Sequence, residues 1–531
     1  MAMWMSKPAV KQPFVWWTLI VASLGSFVAI IDSSFVKVAI LTLVAELHTT
    51  VSVIQGIMAT HALTIACLLL LGAKLQDVIG RKRTFLCGAL IFGVGTAISA
   101  LSINALMLLV GWGILEGIGA ALMLPATAAL ISSTYVGDRR AFAFGLWAAI
   151  GAAAAIIGPL LGGFFTTFLS WRAGPGLEMI IIVSLFALSG RLSESSPTVP
   201  WRGLDLVGFG LSAAGLFFVV YGTLELKNPS TWEFVLTLVG AGLLLLAVFV
   251  LWQHRRIRRG QVPLTDITLF RARAYSAGNL ANLILQLALA GALFILPVFL
   301  QIVTGASAFM TGVALIPLAV AELIVSLGSG RLSARLSPRV LIPLGFLIAL
   351  SGSVLLRGVF SLDTQIIDIF PGTILIGAGV GVSIGPLHNV VLSSAPRAKQ
   401  ADASGVVSTT ATIGASLGTA VIGALLIVSI YSTFGAAIEK VAPEYVAAQD
   451  VPPQVNALKV TDLQVIKAEQ SMRTQIANEV ISSAMRHAVD GISFFLFGGF
   501  VCSLFIGRRW CASELPPTRP VTREAHTKRN S

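Results

Sequence analysis

The sequence predicts an all-α polytopic membrane protein, and three observations lead to that prediction. Hydrophobic residues make up 56% of the 531 residues and charged residues only 11%, against about a quarter in an ordinary soluble protein. The mean hydropathy is +0.88. Apolar runs long enough to cross a bilayer as a helix recur along the chain. These observations exclude a soluble globular protein, and we do not expect an enzyme.

Fourteen apolar runs are predicted as membrane spans. The first is too long for a removable secretory signal and lacks a small-residue cleavage site, so we expect the protein to keep its N-terminus. The predicted spans are 14–41, 53–75, 84–101, 105–131, 141–168, 176–189, 204–224, 234–252, 274–303, 310–332, 340–360, 366–394, 404–431 and 491–507.

The basic residues predict the orientation of the bundle, because short cytoplasmic loops retain Lys and Arg. With these spans, 27 of the 36 basic residues fall on one side, which we assign to the cytoplasm together with both termini. The formal charge of +12 is then a topogenic bias with attraction to anionic lipid, and no nucleic-acid partner is expected. We expect a multi-pass protein of the plasma membrane that works as a monomer in the lipid bilayer.

Cysteines and histidines do not indicate a cofactor. The four cysteines have no C-x-x-C spacing, so neither a disulfide nor a metal site is expected. Two of the six histidines, His61 and His388, fall within predicted spans, where they either titrate near neutral pH or hydrogen-bond to a neighbouring helix. No phosphate-binding loop of the type G-x-x-x-x-G-K-[ST] is evident, so direct use of ATP is not expected.

Internal repetition divides the spans into two halves. Three glycines of the fifth span reappear in the thirteenth with a shift of 260 residues, and segment 73–77 resembles 330–334 with a shift of 257. Repeated halves with a site near the midplane are typical of secondary transporters. The predicted domains are an N-terminal six-helix bundle at 1–190, a central pair of helices at 191–260, a C-terminal six-helix bundle at 261–507 and a cytoplasmic tail at 508–531.

The C-terminal bundle contains a predicted outer loop at 432–487. Apolar residues in this loop recur with a helical period, which predicts a small outer cap, with a partner-docking helix as the alternative.

Helix breakers interrupt the fifth span. Proline removes a hydrogen bond of the helix and glycine permits close backbone approach, so this span is bent, tightly packed against another helix, or both. Thr419 replaces the proline in the thirteenth span, so we expect the fifth span to be the bend or seal between the halves and the thirteenth a packing helix. Ordinary small-residue packing is the alternative for this motif, which comprises Gly145, Gly158, Pro159, Gly162 and Gly163.

Three segments resemble a known family. Residues 77–83 (Asp-Val-Ile-Gly-Arg-Lys-Arg) resemble the G-x-L-x-D-R-x-G-R-K signature of the major facilitator superfamily. Residues 31–39 resemble the L-D-x-T-x-V-N-V-A segment of drug:proton antiporters, and 145–163 resemble their antiporter motif. With fourteen spans and a long loop before the last, the chain is similar to the fourteen-helix drug:proton antiporter branch. This resemblance implies the major facilitator fold, two six-helix bundles plus two central helices, and small-molecule cargo exchanged for protons.

The loop signature predicts a conformational gate. Asp77 is expected to bond to a neighbouring helix terminus, while Arg81 and Lys82 meet acids or helix carbonyls of the other half, with Gly80 in the turn between them. Such contacts would hold one conformation until cargo binds. The alternative is that these charges only orient the loop.

The chain also departs from the family pattern. The family's fourth span carries R-x-x-Q-G-x-G, but here Gly113 replaces the arginine and Glu116 the glutamine. Lys37 replaces an asparagine in the first span, and His61 replaces a tyrosine in the second. Because the missing arginine is associated in the family with proton coupling, we predict a divergent member with a different coupling arrangement.

Acids within the spans give an independent set of candidates. A charged side chain at the bilayer centre costs about 2.5 to 3.5 kcal/mol on insertion scales, so such acids are functional candidates. We predict proton coupling or substrate binding at Asp32, Glu116 and Glu322, with His61 as a fourth residue, and rank Glu178 lower because it lies near the end of its span. The resemblance implies that the helices of Asp32 and Glu116 line one cavity. A protonated acid with a purely structural bond is the alternative.

The predicted function is proton-coupled efflux of small amphiphilic or cationic compounds by alternating access. A carboxyl group in an apolar cavity can take up a proton on one side and release it on the other, and competition between proton and cation for it would give antiport. The alternative is an exporter or exchanger of a specific metabolite or lipid, which Lys37, Glu116 and the missing arginine favour. A non-transporting sensor or scaffold is less consistent with Asp32 and Gly158-Pro159.

Overall fold

Fourteen helices account for most of the chain in the computed structural model, which describes residues 16–192, 194, 197, 199–224, 232–333, 336–361, 364–396, 399–441 and 471–506. Within these residues, thirteen helical stretches are long and apolar enough to cross a membrane. The remaining helix, Ala173–Ser189, is apolar but shorter, and it corresponds to the predicted sixth span. The all-α polytopic fold predicted from the sequence is confirmed.

The helices fall into three groups in chain order. The N-terminal half contains α1 (Trp16–Glu46), α2 (Val51–Ile79), α3 (Arg81–Ala100), α4 (Ala105–Thr134), α5 (Asp138–Phe168) and α6 (Ala173–Ser189). The central pair consists of α7 (Leu206–Leu224) and α8 (Trp232–Arg258). The C-terminal half contains α9 (Arg273–Ile302), α10 (Ala308–Leu332), α11 (Pro338–Arg357), α12 (Phe370–Ser393), α13 (Gln400–Val441) and α14 (Ser471–Leu504).

Arginines mark one end of the bundle. Arg81, Arg140, Arg273 and Arg339 lie at or near the first residues of α3, α5, α9 and α11. We call this the basic end and the opposite side the far end. The helices that begin at the basic end finish at the far end, so each residue's position along its helix gives its depth in the bundle.

The last two helices extend beyond the predicted spans. α13 continues to Val441 and α14 begins at Ser471, so both reach into the segment predicted as an outer loop at 432–487. Val480 and Met485 are two of the apolar residues whose period predicts the cap; both are buried, and Met485 belongs to the core of the C-terminal half. Their apolar period therefore belongs to the last span itself. Residues 442–470 and the tail after 506 lie outside the described residues.

Each half packs around its own apolar core. In the N-terminal half, Phe85, Phe92 and Met123 are buried where α3 meets α4. In the C-terminal half, Phe299 and Phe346 belong to a larger core built by α9 to α14. The central pair contributes no residue to either of these cores. Its first helix, α7, packs against α2 and α13.

The two halves meet through equivalent helices. α5 packs along α1 of its own half and α10 of the other, while α13 packs along α9 of its own half and α2 of the other. A Cβ atom on Gly145 would lie 3.6 Å from the nitrogen of Gly330, and one on Gly405 would lie 2.3 Å from the Cβ atom of Ala73. These four positions are related by the shifts of 260 and 257 residues found in the sequence. The prediction that the thirteenth span is only a packing helix is wrong, because α13 also lies between the halves.

Candidate functional site

Three carboxyl groups converge inside the N-terminal half. Asp32 of α1, Glu116 of α4 and Glu178 of α6 are each at most 3% exposed. One oxygen of each lies within 4.8 Å of one oxygen of the other two. We call these three residues the carboxyl cluster. Three carboxylates this close in a site shielded from water cannot all be ionised, because charge repulsion and loss of hydration both favour protonation.

Asp32 has two partners outside the cluster. The indole Nε1 of Trp112 donates a hydrogen bond of 2.6 Å to Asp32 Oδ1, and Nε2 of His61 lies 3.7 Å from Asp32 Oδ2. Nδ1 of His61 lies 2.9 Å from the carbonyl oxygen of Trp112. Since a carbonyl oxygen only accepts, we assign the proton to Nδ1, which leaves Nε2 facing the carboxyl group.

Stacking fixes the orientation of the imidazole ring. The rings of His61 and Trp112 are parallel within 3° and their centroids are 4.6 Å apart. His61 is 4% exposed. The ring therefore has little freedom to turn away from Asp32, and a proton on Nε2 would lie against that carboxyl group.

Glu116 has one hydrogen-bond donor. The hydroxyl of Ser99 on α3 donates to Glu116 Oε1 at 2.8 Å. Glu116 Oε2, Asp32 Oδ2 and His61 Nε2 are buried and have no hydrogen-bond partner among the described residues. Buried polar atoms are normally satisfied, so three unsatisfied atoms side by side indicate a place where protons or a water molecule bind.

The cluster opens onto a very small cavity. Its volume is about 10 Å³, room for about one water molecule. All the residues that line it belong to the N-terminal half, among them Phe35, Val36, Trp112 and Trp171. In this conformation the cavity has room for a proton or a water molecule but not for a drug-sized compound.

A π-helical turn positions Trp112 and Glu116. Within α4, residues Leu109–Glu116 form a π-helix between two α-helical stretches. Such turns inside α-helices are frequent at functional sites. A Cβ atom on Gly95 would lie only 2.7 Å from Cγ of Glu116, so the glycine lets α3 approach the glutamate closely enough for Ser99 to bond to it.

The cluster is closed at the far end. Nε1 of Trp171 donates to Glu46 Oε2 at 2.9 Å, and the guanidinium of Arg172 bonds to the same carboxylate and, at 2.9 Å, to the carbonyl oxygen of Ser102. The hydrogen bond from Arg172 lowers the pKa of Glu46 below its ordinary value. Glu46 is therefore a carboxylate at neutral pH. The carboxyl cluster, by contrast, is shielded from water and cannot be fully ionised.

The structure changes the predicted set of acids. Asp32, Glu116 and His61 are brought together as expected. Glu322 is not part of the cluster: it lies on α10 in the other half, 5% exposed, where Gly381 of α12 approaches its carbonyl oxygen. Glu178 takes its place. Its position near the end of a span was a misleading reason to rank it lower, because the cluster itself lies toward the far end.

The basic end is closed by a buried ion pair that sequence reasoning missed. Nζ of Lys74 on α2 lies 3.1 Å from Asp77 Oδ2 and 3.2 Å from Asp402 Oδ1 on α13, so it joins the halves. Lys74 and Asp402 are both 4% exposed. Lys74 lies just before the signature segment 77–83. Nothing in the local sequence indicates that its partner is Asp402, 328 residues away.

The predicted gate residues are arranged differently from the prediction. Nζ of Lys82 donates at 3.1 Å to the carbonyl oxygen of Leu192, which belongs to its own half, so the predicted contact with the other half is wrong. The Asp77 side chain accepts a hydrogen bond from Lys74, and Arg81 interacts electrostatically with Asp77. Gly80 forms the turn between α2 and α3. Its φ of +94° is a backbone conformation that other residues rarely adopt.

Further polar contacts support this closure. Asp402 Oδ2 accepts from the backbone nitrogen of Asp266 at 3.2 Å, and Asp266 pairs with Lys399. Burial raises the pKa of Asp266, but the hydrogen bonds from Lys399 and Thr268 outweigh it and the pKa lies below its ordinary value. The polar contacts surround an apolar core shared by both halves, which includes Leu70, Phe144, Tyr275, Leu392 and Val406.

Arg140 makes a second polar contact between the halves. Its Nε donates at 2.9 Å to Asn389 Oδ1 on α12, and its terminal nitrogen bonds to the hydroxyl of Ser393. Arg140 lies at the start of α5 and its partners lie near the end of α12. The closure of the basic end therefore involves α2, α5, α12 and α13.

The glycine motif of α5 connects the cluster helix with the other half. A Cβ atom on Gly158 would lie 2.6 Å from Cβ of Ser34, and one on Gly162 would lie 3.2 Å from the carbonyl oxygen of Phe35. On the other face, Gly163 lies against Phe309 of α10. Pro159 lies within a continuous helix. α5 is thus held between α1, which carries Asp32, and α10 of the C-terminal half.

Comparisons with known proteins agree with this architecture. Residues 22–419 match the family model of the Major Facilitator Superfamily. The methylenomycin A resistance protein of Bacillus subtilis is 29% identical over 414 residues, which cover 77% of this chain and 87% of that protein. The puromycin resistance protein of Streptomyces alboniger is 30% identical over 421 residues, 77% of this chain and 82% of that protein. The human organic anion transporter MFSD10 has the same fold, with a TM-score of 0.63 at 12% identity over 93% of this chain and 100% of that chain.

Proposed function

Because the chain belongs to the Major Facilitator Superfamily, we propose that this membrane transporter is a proton-coupled antiporter that exports small amphiphilic or cationic compounds by alternating access. The carboxyl cluster is the observation that carries this proposal. It gathers Asp32, Glu116 and Glu178 with His61 around unsatisfied polar atoms in a cavity of about 10 Å³. Protons fit this site and drug-sized cargo does not.

The ends of the bundle suggest which state this conformation represents. Basic loops are retained in the cytoplasm, so the basic end is assigned to the cytoplasmic side of the plasma membrane. Lys74–Asp402 and the contacts of Arg140 close that end. We therefore assign this conformation to a state that is closed toward the cytoplasm.

The energy available from protons is sufficient for export. Moving one elementary charge through about 100 mV is worth about 2.3 kcal/mol, which corresponds to a gradient of roughly 50-fold in a neutral solute. Since cargo does not fit beside the carboxyl groups, coupling would operate through the conformation of the two halves rather than through competition for one carboxylate. α5, packed between the helix of Asp32 and α10, is the element suited to carry it.

His61 replaces part of what the family's arginine supplies. Gly113 stands where that arginine is expected, and the imidazole of His61 is the basic group in contact with Asp32. A protonated imidazole at this position would supply the positive charge beside Asp32 that the arginine would otherwise supply.

The names of the relatives support antibiotics as the proposed class of cargo. Several related proteins confer resistance to antibiotics such as methylenomycin A and puromycin. Export of a specific metabolite or lipid remains the second candidate, favoured by the same departures at Gly113 and Glu116. A sensor without transport is the third, and the intact cluster argues against it.

Purified protein in sealed vesicles with an internal pH-sensitive dye tests this function. An imposed proton gradient should drive accumulation of puromycin or methylenomycin A, and adding either compound should dissipate the gradient faster than in empty vesicles. Asp490→Asn, at the exposed pair with Arg357 in the C-terminal half, serves as the matched control and should behave like the wild type. Flux of a metabolite or lipid alone would favour the second candidate, and a panel without any flux would favour the sensor.

A further inference from the structure

The four titratable groups in the cluster do not have equal surroundings. They come from four helices: Asp32 from α1, His61 from α2, Glu116 from α4 and Glu178 from α6. α3 contributes only the hydroxyl of Ser99, and the pair formed by Glu46 and Arg172 closes the far end. The donors available to each carboxyl group therefore decide where protons bind.

Asp32 is the carboxyl group best supported as an anion. It accepts the 2.6 Å hydrogen bond from Trp112, and its other oxygen faces Nε2 of His61 at 3.7 Å. A donor and an adjacent imidazole both favour the ionised carboxyl group and the protonated ring. When His61 is protonated, the two groups form a neutral pair.

The two glutamates have no such support. Glu116 receives one hydroxyl hydrogen bond and leaves Oε2 unsatisfied, and no hydrogen bond to the Glu178 carboxyl group is found among the described residues. Both face the charge of Asp32 at close range. With Asp32 and His61 paired, each glutamate must carry its own proton for the cavity to be neutral.

We propose that the exchangeable protons of the cluster bind Glu116 and Glu178, and that Asp32 stays ionised in a pair with protonated His61. This inference rests on the proposed proton exchange for its role in transport, and it assigns two protons to each cycle. Glu178 is thereby a proton-binding residue in its own right. No bond is made or broken beyond the two O–H bonds, whose protons come from one side of the membrane and leave to the other.

Difference infrared spectroscopy of the full-length protein in lipid nanodiscs tests this assignment without cargo. Protonated carboxylic acids have a carbonyl stretch that carboxylates lack and that shifts in deuterium oxide. At neutral pH, Glu116→Gln and Glu178→Gln should each remove one acid band, whereas Asp32→Asn should remove none. His61→Gln should add an acid band, because Asp32 loses its cationic partner and takes up a proton.

Matched controls separate the assignment from other effects. Glu46→Gln removes an ionised carboxylate and should leave the acid bands unchanged, and retention of a monodisperse elution profile shows that each variant is folded. Loss of an acid band in Asp32→Asn, with none lost in the glutamate variants, would overturn the proposal. So would a wild-type cluster without acid bands whose carboxylate bands shift with Mg²⁺, since that would indicate a cation site. Absence of transport in vesicles would refute the proposed function and leave these spectra unchanged.

Discussion

The two halves of the molecule share an architecture but differ in what they bury. The interior of the N-terminal half contains three acids, an imidazole and an indole that contact one another. The largest apolar core lies in the C-terminal half, where residues such as Leu296, Phe299 and Phe346 are fully buried. Its intramembrane acid, Glu322, lies apart from the cluster.

This difference separates two roles in the duplicated fold, packing between the halves and proton chemistry. Repeated positions, such as Gly145 with Gly330 and Gly405 with Ala73, lie where the halves touch. The residues that differ between the halves are the ones suited to proton chemistry. Packing between the halves is therefore shared by both repeats, whereas the candidate proton site belongs to one.

The largest expected effect concerns the contact that keeps the halves together. Lys74→Gln should shift the equilibrium away from closure of the basic end by about 3–5 kcal/mol, because it removes the buried cation that pairs with Asp402 of the other half. Alkylation of a cysteine introduced at Val391, in the seam, measures the shift as faster labelling. The double variant Lys74→Gln, Asp402→Asn should label more slowly than the single one, and equal labelling would show that the pair does not hold the seam.

A smaller effect distinguishes the acids of the two halves. Glu116→Gln should lower the cargo gradient by roughly 50-fold, because one proton, worth about 2.3 kcal/mol at about 100 mV, is lost from the cycle. Glu322→Gln, the matched change in the C-terminal half, should lower it much less. Steady-state accumulation of puromycin in vesicles gives both values. Equal losses would break the distinction between the halves.

Equivalent glycines of α5 and α13 give a further test of the difference between the two halves. Gly158→Ala and Gly418→Ala should each destabilise packing by about 1–3 kcal/mol, because the added methyl group meets Ser34 in one case and the carbonyl oxygen of Leu287 in the other. Only Gly158→Ala displaces the helix that carries Asp32. It should therefore also reduce proton-driven flux. Flux in vesicles and thermal unfolding in detergent measure the two effects. A flux defect in Gly418→Ala alone would contradict the coupling role of α5.

The smallest effect is a pH dependence at the basic end. The folded pKa of Asp266 lies below its ordinary value, so its pair with Lys399 adds stability above about pH 4 and loses it as the pH falls through the folded pKa. The advantage of the wild type over Asp266→Asn should be about 1 kcal/mol at neutral pH and vanish in acid. Melting temperatures of both proteins from pH 7 downward measure it, and an advantage that grows in acid would contradict the sign.

Composition and helical length were sufficient to predict the architecture. Apolar runs located the fourteen helices, because a bilayer demands long hydrogen-bonded segments whatever their partners. The end of α13 and the start of α14 could not be placed, since an apolar period such as that of Val480 and Met485 does not say whether its partner is a cap or a core. The repeat was visible because close helix contacts need small residues at fixed positions.

The candidate site was only partly predictable. Asp32, Glu116 and His61 stood out as polar residues in apolar spans, and the resemblance to the family implied that the helices of Asp32 and Glu116 lie together. Glu178 carried the same signal but was ranked lower because it lies near the end of its span, although the cluster itself lies toward the far end. The pairing of Lys74 with Asp402 depends on how two distant helices dock, and no local pattern encodes that.

The π turn of α4 has a consequence for helical phase. A π turn holds one residue more than an α turn, and one residue corresponds to about 100° of rotation about the helix axis. The stretch after Glu116 is thus rotated by that angle relative to an uninterrupted helix, down to Ala128 and Ile131 in the seam at the basic end. Ile131 lies about 27 Å along the axis from Gly113. A change from π to α geometry around Glu116 would turn that whole stretch about its axis and so move residues of the seam relative to the carboxyl cluster.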